Sequence, residues 1–240
     1  SRLFLADHAQ SSRDWKEVAK EIALVEKEMQ PPKAEPTEIT LRDHQRESLK
    51  LWEENGFRGV VAHATGAGKT ITAIHAIRKH SASGRHTLII VPGTELLNQW
   101  ESEIKKFKTS AQSLRLCGGG NTQWKESLSA WLSSESPQVI IAIANTACDP
   151  AFVFRCKQAA ANLLVVGDEV HGLGARNRSH VFEIKSARRL GLSATPERHN
   201  DQEGTEAIFN YFGPIIHEYS IFDAIKDGFL VNYRYYPLVV

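Results

Sequence analysis

The 240-residue sequence is poor in cysteine, has almost no net charge and lacks a long hydrophobic run. Its three cysteines, Cys117, Cys148 and Cys156, are odd in number and too scattered for a zinc site or a disulfide framework. We interpret them as small buried hydrophobic residues in a reducing compartment. No apolar run approaches the roughly 20 residues that a membrane-spanning helix needs, and the N-terminus has no signal-peptide pattern. We therefore expect no membrane partner and a cytoplasmic location, or a nuclear one in a eukaryote.

The charge balance limits the kinds of partner. The formal net charge is +1 and no run of Lys or Arg stands out, so any nucleic-acid contact must be local rather than spread over a basic face. Hydrophobic residues make up 42% and charged residues 24% of the chain, which is ordinary for a globular domain with one core. This composition excludes a disordered chain.

A glycine-rich segment at 64–70 is the most informative motif. It reads Ala64-Thr65-Gly66-Ala67-Gly68-Lys69-Thr70 and lies between a short apolar segment at 57–62 and a helical pattern at 71–79. The glycines let backbone N–H groups approach a polyphosphate, and the N-terminus of the following helix favours an anion. In such a P-loop, Lys69 reaches the β- and γ-phosphates and Thr70 holds Mg²⁺. The general pattern has glycine where this chain has His63, which leaves a Gly-rich turn of an unrelated α/β protein as the alternative.

Two adjacent acids follow the apolar segment at 163–166, in the sequence Asp168-Glu169-Val170-His171. Ligands bind at the carboxyl ends of parallel strands, so a pair of acids at this point is suited to a catalytic site. Asp168 is placed to hold Mg²⁺, and Glu169 is a base that can orient and deprotonate the attacking water. An isolated acidic pair is usually solvated surface, but a charge at the end of a buried strand needs a partner.

A third motif, Ser193-Ala194-Thr195, also follows an apolar segment and precedes Pro196. Taken alone, it is equally consistent with an ordinary strand that leads into a proline turn. The motif is informative because it follows the two motifs above in order along the chain.

The spacing of apolar residues predicts an α/β fold. Strand candidates lie near 57–62, 87–92, 113–117, 138–144, 163–168 and 188–194, and helical candidates lie near 43–54, 69–80, 94–107 and 123–132. This alternation favours a mostly parallel sheet with helices on both faces.

In their order, the three motifs resemble motifs I, II and III of the superfamily 2 helicases and translocases. Leu41-Arg42-Asp43-His44-Gln45 also resembles the Q-type segment of that superfamily, and the residues at 88–92 through Gln99-Trp100 resemble motif Ia. The resemblance covers roughly residues 39–240 and implies a RecA-like P-loop NTPase domain. The sequence around motifs II and III resembles that of double-stranded-DNA translocases, such as XPB-like proteins and restriction-enzyme motor subunits, more closely than that of DEAD-box RNA helicases.

The resemblance implies a role for each matching residue. Gln45 would hydrogen-bond the adenine edge and Arg42 would stack on the base. The segment Thr65-Gly66-Ala67-Gly68-Lys69-Thr70 would bind ATP, with Thr70 and Asp168 on Mg²⁺ and with Lys69, Asp168 and Glu169 as the catalytic set. His171, Ser193 and Thr195 would couple the nucleotide site to the rest of the motor. For Arg42 and Gln45, a polar face on a helix that starts near Thr40 is the alternative.

The resemblance implies nucleic-acid contacts at Thr94, Gly119 and Thr146, and it favours DNA over RNA as the partner. Contacts through backbone N–H groups and short hydroxyls suit a motor that must step along any sequence. This chain has Ile143 where many relatives would have threonine, which weakens the assignment of Thr146. For the glycines at 118–120, a flexible turn between strand and helix is an equal alternative.

The domain organisation has three predicted parts. Residues 1–36 form an N-terminal helix, with apolar spacing over 15–29, and a Pro-rich linker, which together are either an added element or the tail of an upstream domain. Residues 37–232 form the first RecA-like domain, and residues 233–240 begin a linker to a second RecA-like domain outside this chain. Since that second domain supplies arginines to the site in the family, we expect the isolated chain to bind nucleotide weakly and to hydrolyse ATP poorly.

Two alternative functions stay open from the sequence. One is the motor domain of an RNA helicase, which has the same mechanism. The other is a nucleotide-regulated nucleic-acid-binding module without turnover, against which the intact set of Lys69, Asp168 and Glu169 counts.

Overall fold

The computed structural model describes residues 40–107, 113–175 and 178–231. These residues belong to Glu38–Val240, one of the two units into which the chain divides. The predicted N-terminal helix and Pro-rich linker, and the predicted linker at 233–240, lie outside the described residues. The domain boundaries proposed from the sequence therefore stay predictions.

The described residues form a seven-stranded sheet in which every strand pairing is parallel. The strand order is β3-β4-β2-β5-β6-β1-β7. Within it, β2 pairs with β4 and β5, so that Ile89 lies opposite Ile141 on one side and Val166 on the other. The strands are β1 (Arg58–His63), β2 (His86–Val91), β3 (Ser113–Cys117), β4 (Gln138–Ile143), β5 (Leu163–Asp168), β6 (Arg188–Ser193) and β7 (Ile215–Tyr219).

Helices connect the strands. They are α1 (Asp43–Glu54), α2 (Lys69–Ser81), α3 (Thr94–Phe107), α4 (Trp124–Leu132), α5 (Ala144–Ala147), α6 (Pro150–Gln158), α7 (Gln202–Phe212) and α8 (Ile221–Lys226). Short 3-10 helices occupy Ala160–Asn162, Val170–Gly174 and Ser179–Glu183. None of the helices in the described part of the chain is long and apolar enough to cross a membrane.

Alternating side chains of the strands build two cores, one on each face of the sheet. Leu88 and Ile90 of β2 pack into the core beneath α4, α6 and α7, while Ile89 and Val91 pack into the core beneath α1, α2 and α3. The prediction of a parallel sheet with helices on both faces is confirmed, and the fold is RecA-like.

The three cysteines are buried and free, as the sequence predicts. Burial raises the pKa of the Cys117 thiol to about 12 and also raises the pKa values of Cys148 and Cys156. The thiols are therefore protonated at neutral pH and pack as small hydrophobic groups.

The sequence-based expectation omits β7, α5, α6, α7 and α8. Strand β7 lies at an edge of the sheet and has His217 and Glu218 in its five residues, so it lacks the apolar run of a central strand. The start of helix α6 carries two sequence signals. The Asp149 carboxylate accepts hydrogen bonds from the N–H groups of Ala151 and Phe152, and Pro150 occupies the first turn.

Candidate nucleotide and nucleic-acid site

The glycine-rich segment forms a tight loop between the carboxyl end of β1 and the start of α2. Gly66 and Gly68 have φ values of 82° and 88°, in the left-handed region that favours glycine. A Cβ on Gly68 would lie 2.3 Å from Nε2 of Gln45, so the loop has no room for a side chain there. The N–H of Ala67 donates to the carbonyl of Ala64 (3.1 Å) and closes the turn. The loop therefore presents its backbone and the N-terminus of α2 to the same edge of the sheet, as an anion site requires.

Lys69, the first residue of α2, is almost fully buried at this edge. Its Nζ donates to the carbonyl oxygen of His63 (3.0 Å) and lies 4.0 Å from Oε1 of Glu169. The ring of His63 is buried behind the loop, where Nε2 lies within hydrogen-bond distance of Ser48 Oγ (3.1 Å) and His217 Nδ1 (2.9 Å). Burial, and then the charges of neighbouring histidines, lower the pKa of His63 to about 3, so its ring is neutral at pH 7. The departure from glycine at this position thus places a neutral, packed side chain behind the loop.

Asp168 ends β5 and is 7% exposed. Its Oδ2 accepts a 2.7 Å hydrogen bond from the indole N–H of Trp100, and Oδ1 accepts one from the N–H of Glu169 (3.1 Å). Burial raises the pKa of this carboxyl group, while the Trp100 hydrogen bond opposes the rise. One buried acid is therefore held in a fixed orientation at the strand end.

Glu169 has a backbone conformation that is rare for a side-chain-bearing residue. Its φ and ψ are 46° and 55°, in the left-handed region. Such strain is usual at functional sites, where neighbouring contacts maintain it. This turn directs the carboxylate towards both Lys69 and Ser193.

The third motif meets the second through side-chain hydrogen bonds. Ser193 Oγ donates to Glu169 Oε2 (3.3 Å) and accepts the backbone N–H of Thr195 (3.2 Å). His171 Nδ1 lies 3.2 Å from Ser193 Oγ and 3.4 Å from Glu169 Oε2. The guanidinium of Arg198 donates to the carbonyl of His171 and thus fixes its backbone. Of the predicted coupling residues, His171 and Ser193 therefore lie at one oxygen of Glu169, and Thr195 contacts Ser193.

The first and third motifs also share a cavity of about 560 Å³, which Thr65 and Thr195 both line. Thr65 and Gly66 are exposed, whereas Ala67 is fully buried and serves as a packing residue of the loop.

The two residues predicted to contact the base lie at the start of α1. Gln45 is 2% exposed: its Nε2 donates to the carbonyl of Gly68 (3.1 Å) and its Oε1 accepts the N–H of Arg42 (2.9 Å). The guanidinium carbon of Arg42 lies 3.9 Å from the ring centroid of Phe229. Gln45 thus braces the P-loop backbone, and its contact with adenine stays a prediction.

Sequence reasoning missed three residues that position the site. His44 Nε2 lies 2.9 Å from the carbonyl oxygen of Ala67 in the loop. Trp100 holds Asp168, and Arg198 holds the backbone of His171. Trp100 lies in the segment that resembles motif Ia, but no spacing in one sequence indicates which distant group its N–H contacts.

The residues predicted to contact nucleic acid meet at the ends of β2, β3 and β4. Thr94 begins α3, Gly119 follows β3, and Thr146 lies in α5. A Cβ on Gly119 would lie 3.1 Å from Cγ2 of Thr94, and a Cβ on Gly118 would lie 2.5 Å from Oγ1 of Thr146. We call this surface the threonine–glycine patch (Thr94, Gly118, Gly119 and Thr146). Helix α3 connects it to the acidic site, because Thr94 begins the helix and Trp100 lies within it.

The oxygen donors of the site fit Mg²⁺. Thr70 lies in the first turn of α2 and Asp168 at the end of β5, and both offer the hard oxygen ligands that Mg²⁺ prefers. No group of three or more His, Cys, Asp or Glu side chains suited to a metal occurs in the part of the chain that the structure describes. The donors present match an ion that is held by one or two protein oxygens together with the phosphates of a nucleotide.

Comparison with known proteins gives consistent matches. The family model described as "Type III restriction enzyme, res subunit" matches residues 38–198. The DNA 3'-5' translocase XPB2 of Sulfurisphaera tokodaii is 29% identical over 203 residues, which cover 84% of this chain and 40% of that protein. The putative DNA 3'-5' helicase Rad25 of Haloarcula marismortui is 32% identical over 179 residues, which cover 74% of this chain and 26% of that protein. The chain thus spans less than half the length of these relatives.

Solved structures match the fold. The helicase domain of Pyrococcus furiosus Hef is 23% identical, with a TM-score of 0.57, over 75% of this chain and 38% of that one. The Type ISP restriction-modification enzyme LlaBIII bound to DNA is 18% identical, with a TM-score of 0.61, over 79% of this chain and 16% of that one.

Proposed function

The chain belongs to the family of type III restriction enzyme res subunits, and from that premise we propose that it is the first RecA-like domain of an ATP-driven motor that moves on double-stranded DNA. The observation that carries the proposal is the convergence of Lys69 and Ser193 on the carboxylate of Glu169, at 4.0 Å from Oε1 and 3.3 Å from Oε2. A structural role alone gives no reason for a buried lysine, a strained glutamate and a buried serine at one sheet edge.

In this proposal, the backbone N–H groups of the glycine-rich loop and the ammonium of Lys69 bind the triphosphate of ATP. Thr70 and Asp168 would hold Mg²⁺, which would supply positive charge to neutralise the phosphates. Asp168 is oriented for this by Trp100, whose N–H occupies one carboxylate oxygen.

Glu169 is the base for the hydrolysis step. It orients a water molecule and takes one of its protons while the water oxygen attacks the γ-phosphorus and the bond to the β-phosphate oxygen breaks. Ser193 donates to Oε2 of Glu169, so the carboxylate is held in one orientation, with Oε1 on the side of Lys69. His171 of the second motif and Thr195 of the third motif both contact Ser193, so a movement of either residue would shift the group that positions this base.

The threonine–glycine patch is the proposed DNA contact. Its hydroxyls and glycine backbone suit phosphate oxygens, which carry no sequence information. The names of the relatives, a DNA translocase and a DNA helicase, favour DNA over RNA. Since the relatives are longer than this chain, we also propose a second RecA-like domain that closes on this one and contributes arginine to the transition state.

ATP binding by the 240-residue chain tests the nucleotide part of the proposal. We expect Lys69→Ala to weaken ATP binding in calorimetry by at least about tenfold, since the variant loses a charge-assisted contact worth roughly 1.5–3 kcal/mol. The matched control is Lys79→Ala, because Lys79 lies on the same helix but pairs with Glu53 at the surface. Equal affinities for the wild type and both variants would contradict the proposal.

A further inference from the structure

Two histidines contact each other directly behind the phosphate loop. His63 ends β1 and is fully buried, and its Nε2 lies 2.9 Å from Nδ1 of His217 in the neighbouring strand β7. The same nitrogen of His63 lies 3.1 Å from Oγ of Ser48 on α1. On the outer side of His217, Nε2 lies 3.6 Å from Oε2 of the exposed Glu47. A line of polar groups thus runs from the surface to the residue that precedes the loop.

A change of strand register brings the two rings together. Val60 lies opposite Ile215, but Val61 lies opposite His217, so β7 has one extra residue at this point. The extra residue turns His217 to the face of the sheet that carries Val61 and His63, beneath α1. Regular alternation along β7 would place this ring on the opposite face. Irregularities of this kind re-aim side chains and are common next to active sites.

The partners of His63 determine which nitrogens carry hydrogen. The Ser48 hydroxyl donates its one hydrogen to the carbonyl of His44 (2.6 Å), so its oxygen can only accept from His63. We therefore assign the hydrogen of His63 to Nε2, and Nδ1 of His217, which faces the same atom, is an acceptor. The hydrogen of a neutral His217 is then on Nε2, on the side of Glu47. The arrangement requires both rings to be neutral.

Two contacts connect this arrangement to the phosphate loop. The carbonyl oxygen of His63 accepts a hydrogen bond from Nζ of Lys69 (3.0 Å). His44, whose carbonyl accepts from Ser48, donates from Nε2 to the carbonyl of Ala67 within the loop (2.9 Å). We call these four residues the histidine brace (His44, Ser48, His63 and His217). The brace contacts the loop through its backbone on one side and through an imidazole on the other.

We propose that the histidine brace positions the phosphate loop for ATP and that a proton on His217 disrupts it. The inference rests on the proposed function, since it concerns binding of the same nucleotide. A protonated His217 carries hydrogen on Nδ1, which then faces the N–H of His63 at 2.9 Å. His63 can avoid this conflict only by moving its hydrogen to Nδ1, a buried atom that has no hydrogen-bond partner among the residues the structure describes. Ser48 would then lose its donor, so either arrangement costs a hydrogen bond next to the loop.

The surroundings keep the brace neutral at pH 7 and make His217 its proton-accepting end. The titratable and charged groups that face the two rings are Glu47 and His44 of α1, Lys69 of α2 and Tyr219 of β7. Burial lowers the pKa values of both His63 and His217, and the carboxylate of Glu47 opposes the decrease at His217. The His217 side chain is also 12% exposed, whereas His63 is fully buried. His217 is therefore the ring that takes up a proton first as the pH falls.

ATP affinity at two pH values tests the brace. ATP is titrated by calorimetry into the 240-residue chain at pH 7.5 and pH 5, for the wild type, His217→Asn and His217→Leu. Asparagine offers an oxygen that accepts from His63 and does not take up a proton, so His217→Asn should match the wild type at pH 7.5. At pH 5 the wild type should lose about two- to tenfold more affinity than His217→Asn, the range that one net hydrogen bond supplies. Leucine offers no acceptor, and His217→Leu should show a loss of about this size already at pH 7.5.

The matched control is His75→Asn, which removes a histidine of α2 that is not part of the brace and should follow the wild type at both pH values. The titration of ATP itself is common to all the proteins and cancels in the comparison. Equal losses of affinity between pH 7.5 and pH 5 in the wild type and His217→Asn would overturn the brace. Full affinity of a folded His217→Leu at pH 7.5 would also overturn it, and if this variant does not fold, the pH comparison alone decides.

The proposed function fails in a different way. A Lys69→Ala variant that binds ATP at pH 7.5 as tightly as the wild type would overturn the proposed function, whatever the pH dependence at His217. A wild type that binds no ATP would overturn both proposals.

Discussion

Replacement of Trp100 by phenylalanine tests how the acidic site is held. The indole N–H donates to Oδ2 of Asp168 at 2.7 Å, and the two side chains are 1% and 7% exposed. Trp100→Phe keeps an aromatic ring in the core but leaves one oxygen of a buried carboxylate without this donor. Because the same helix begins at Thr94, the variant also alters the connection between the threonine–glycine patch and Asp168.

The structure provides a matched control. The indole N–H of Trp52, which is also buried, donates to the carbonyl oxygen of Arg189 at 2.9 Å. A hydrogen bond to a neutral acceptor contributes about 0.5–1.5 kcal/mol, and one to a charged acceptor about 1.5–3 kcal/mol. Both replacements lose similar ring volume, so Trp100→Phe should lower the free energy of unfolding by about 1–2 kcal/mol more than Trp52→Phe does.

Urea unfolding of the wild type and the two variants measures this difference. A second readout is the Mg²⁺ concentration at half-maximal ATP binding. The hydrogen bond from Trp100 favours the ionised form of Asp168, so its loss raises the pKa further and lets protons compete with Mg²⁺. Trp100→Phe, but not Trp52→Phe, should need more Mg²⁺, most of all at low pH. Equal destabilisation and unchanged Mg²⁺ dependence in both variants would refute the reasoning.

Three further outcomes are expected. Ser193→Ala should bind ATP normally but hydrolyse it about 10- to 100-fold more slowly in the full-length protein, because the Glu169 carboxylate loses its positioning contact; equal single-turnover rates would contradict this. Thr94→Ala should reduce the stimulation of ATPase activity by DNA while the unstimulated rate stays constant, and loss of both rates would indicate a structural role instead. The free energy of unfolding should fall as the pH is lowered below about 6.5, because burial lowers the folded-state pKa of His63 to about 3 and of His80 to about 4. Below that pH the unfolded chain binds more protons than the folded protein, so each histidine lowers the free energy of unfolding by about 2 kcal/mol at pH 5. Urea unfolding at pH 5 and pH 7 measures this loss of stability. His63→Asn should reduce the difference between the free energies of unfolding at the two pH values.

The sequence predicted the central part of the fold because buried parallel strands are continuous apolar runs. Strands β3 and β5 and helices α1 and α3 have the predicted bounds, and β1 differs by one residue at each end. The edge strand β7 was missed, since its polar residues make it resemble a loop. Apolar spacing did not predict helix α6, although its start has a capping signal in Asp149 and Pro150.

The resemblance to superfamily 2 helicases is confirmed by the family match. The sequence placed the three motifs at strand ends, and their meeting follows from strand order. Which atoms touch does not follow from one sequence: Trp100 and Asp168 are 68 positions apart, and no local pattern connects them. Phe229 and Arg42 also contact each other, and no local sequence pattern connects them either. The individual roles assigned to the site residues, and the domain boundaries, stay predictions.

ATP hydrolysis by the full-length protein that contains this domain tests the central claim most directly. The rate is measured with no nucleic acid, duplex DNA, single-stranded DNA or RNA, for the wild type and for Glu169→Gln. We predict stimulation by duplex DNA that disappears in Glu169→Gln, because the amide keeps the shape of the side chain but is not a base. Stimulation by RNA alone, or no turnover under any condition, would contradict a motor that moves on double-stranded DNA.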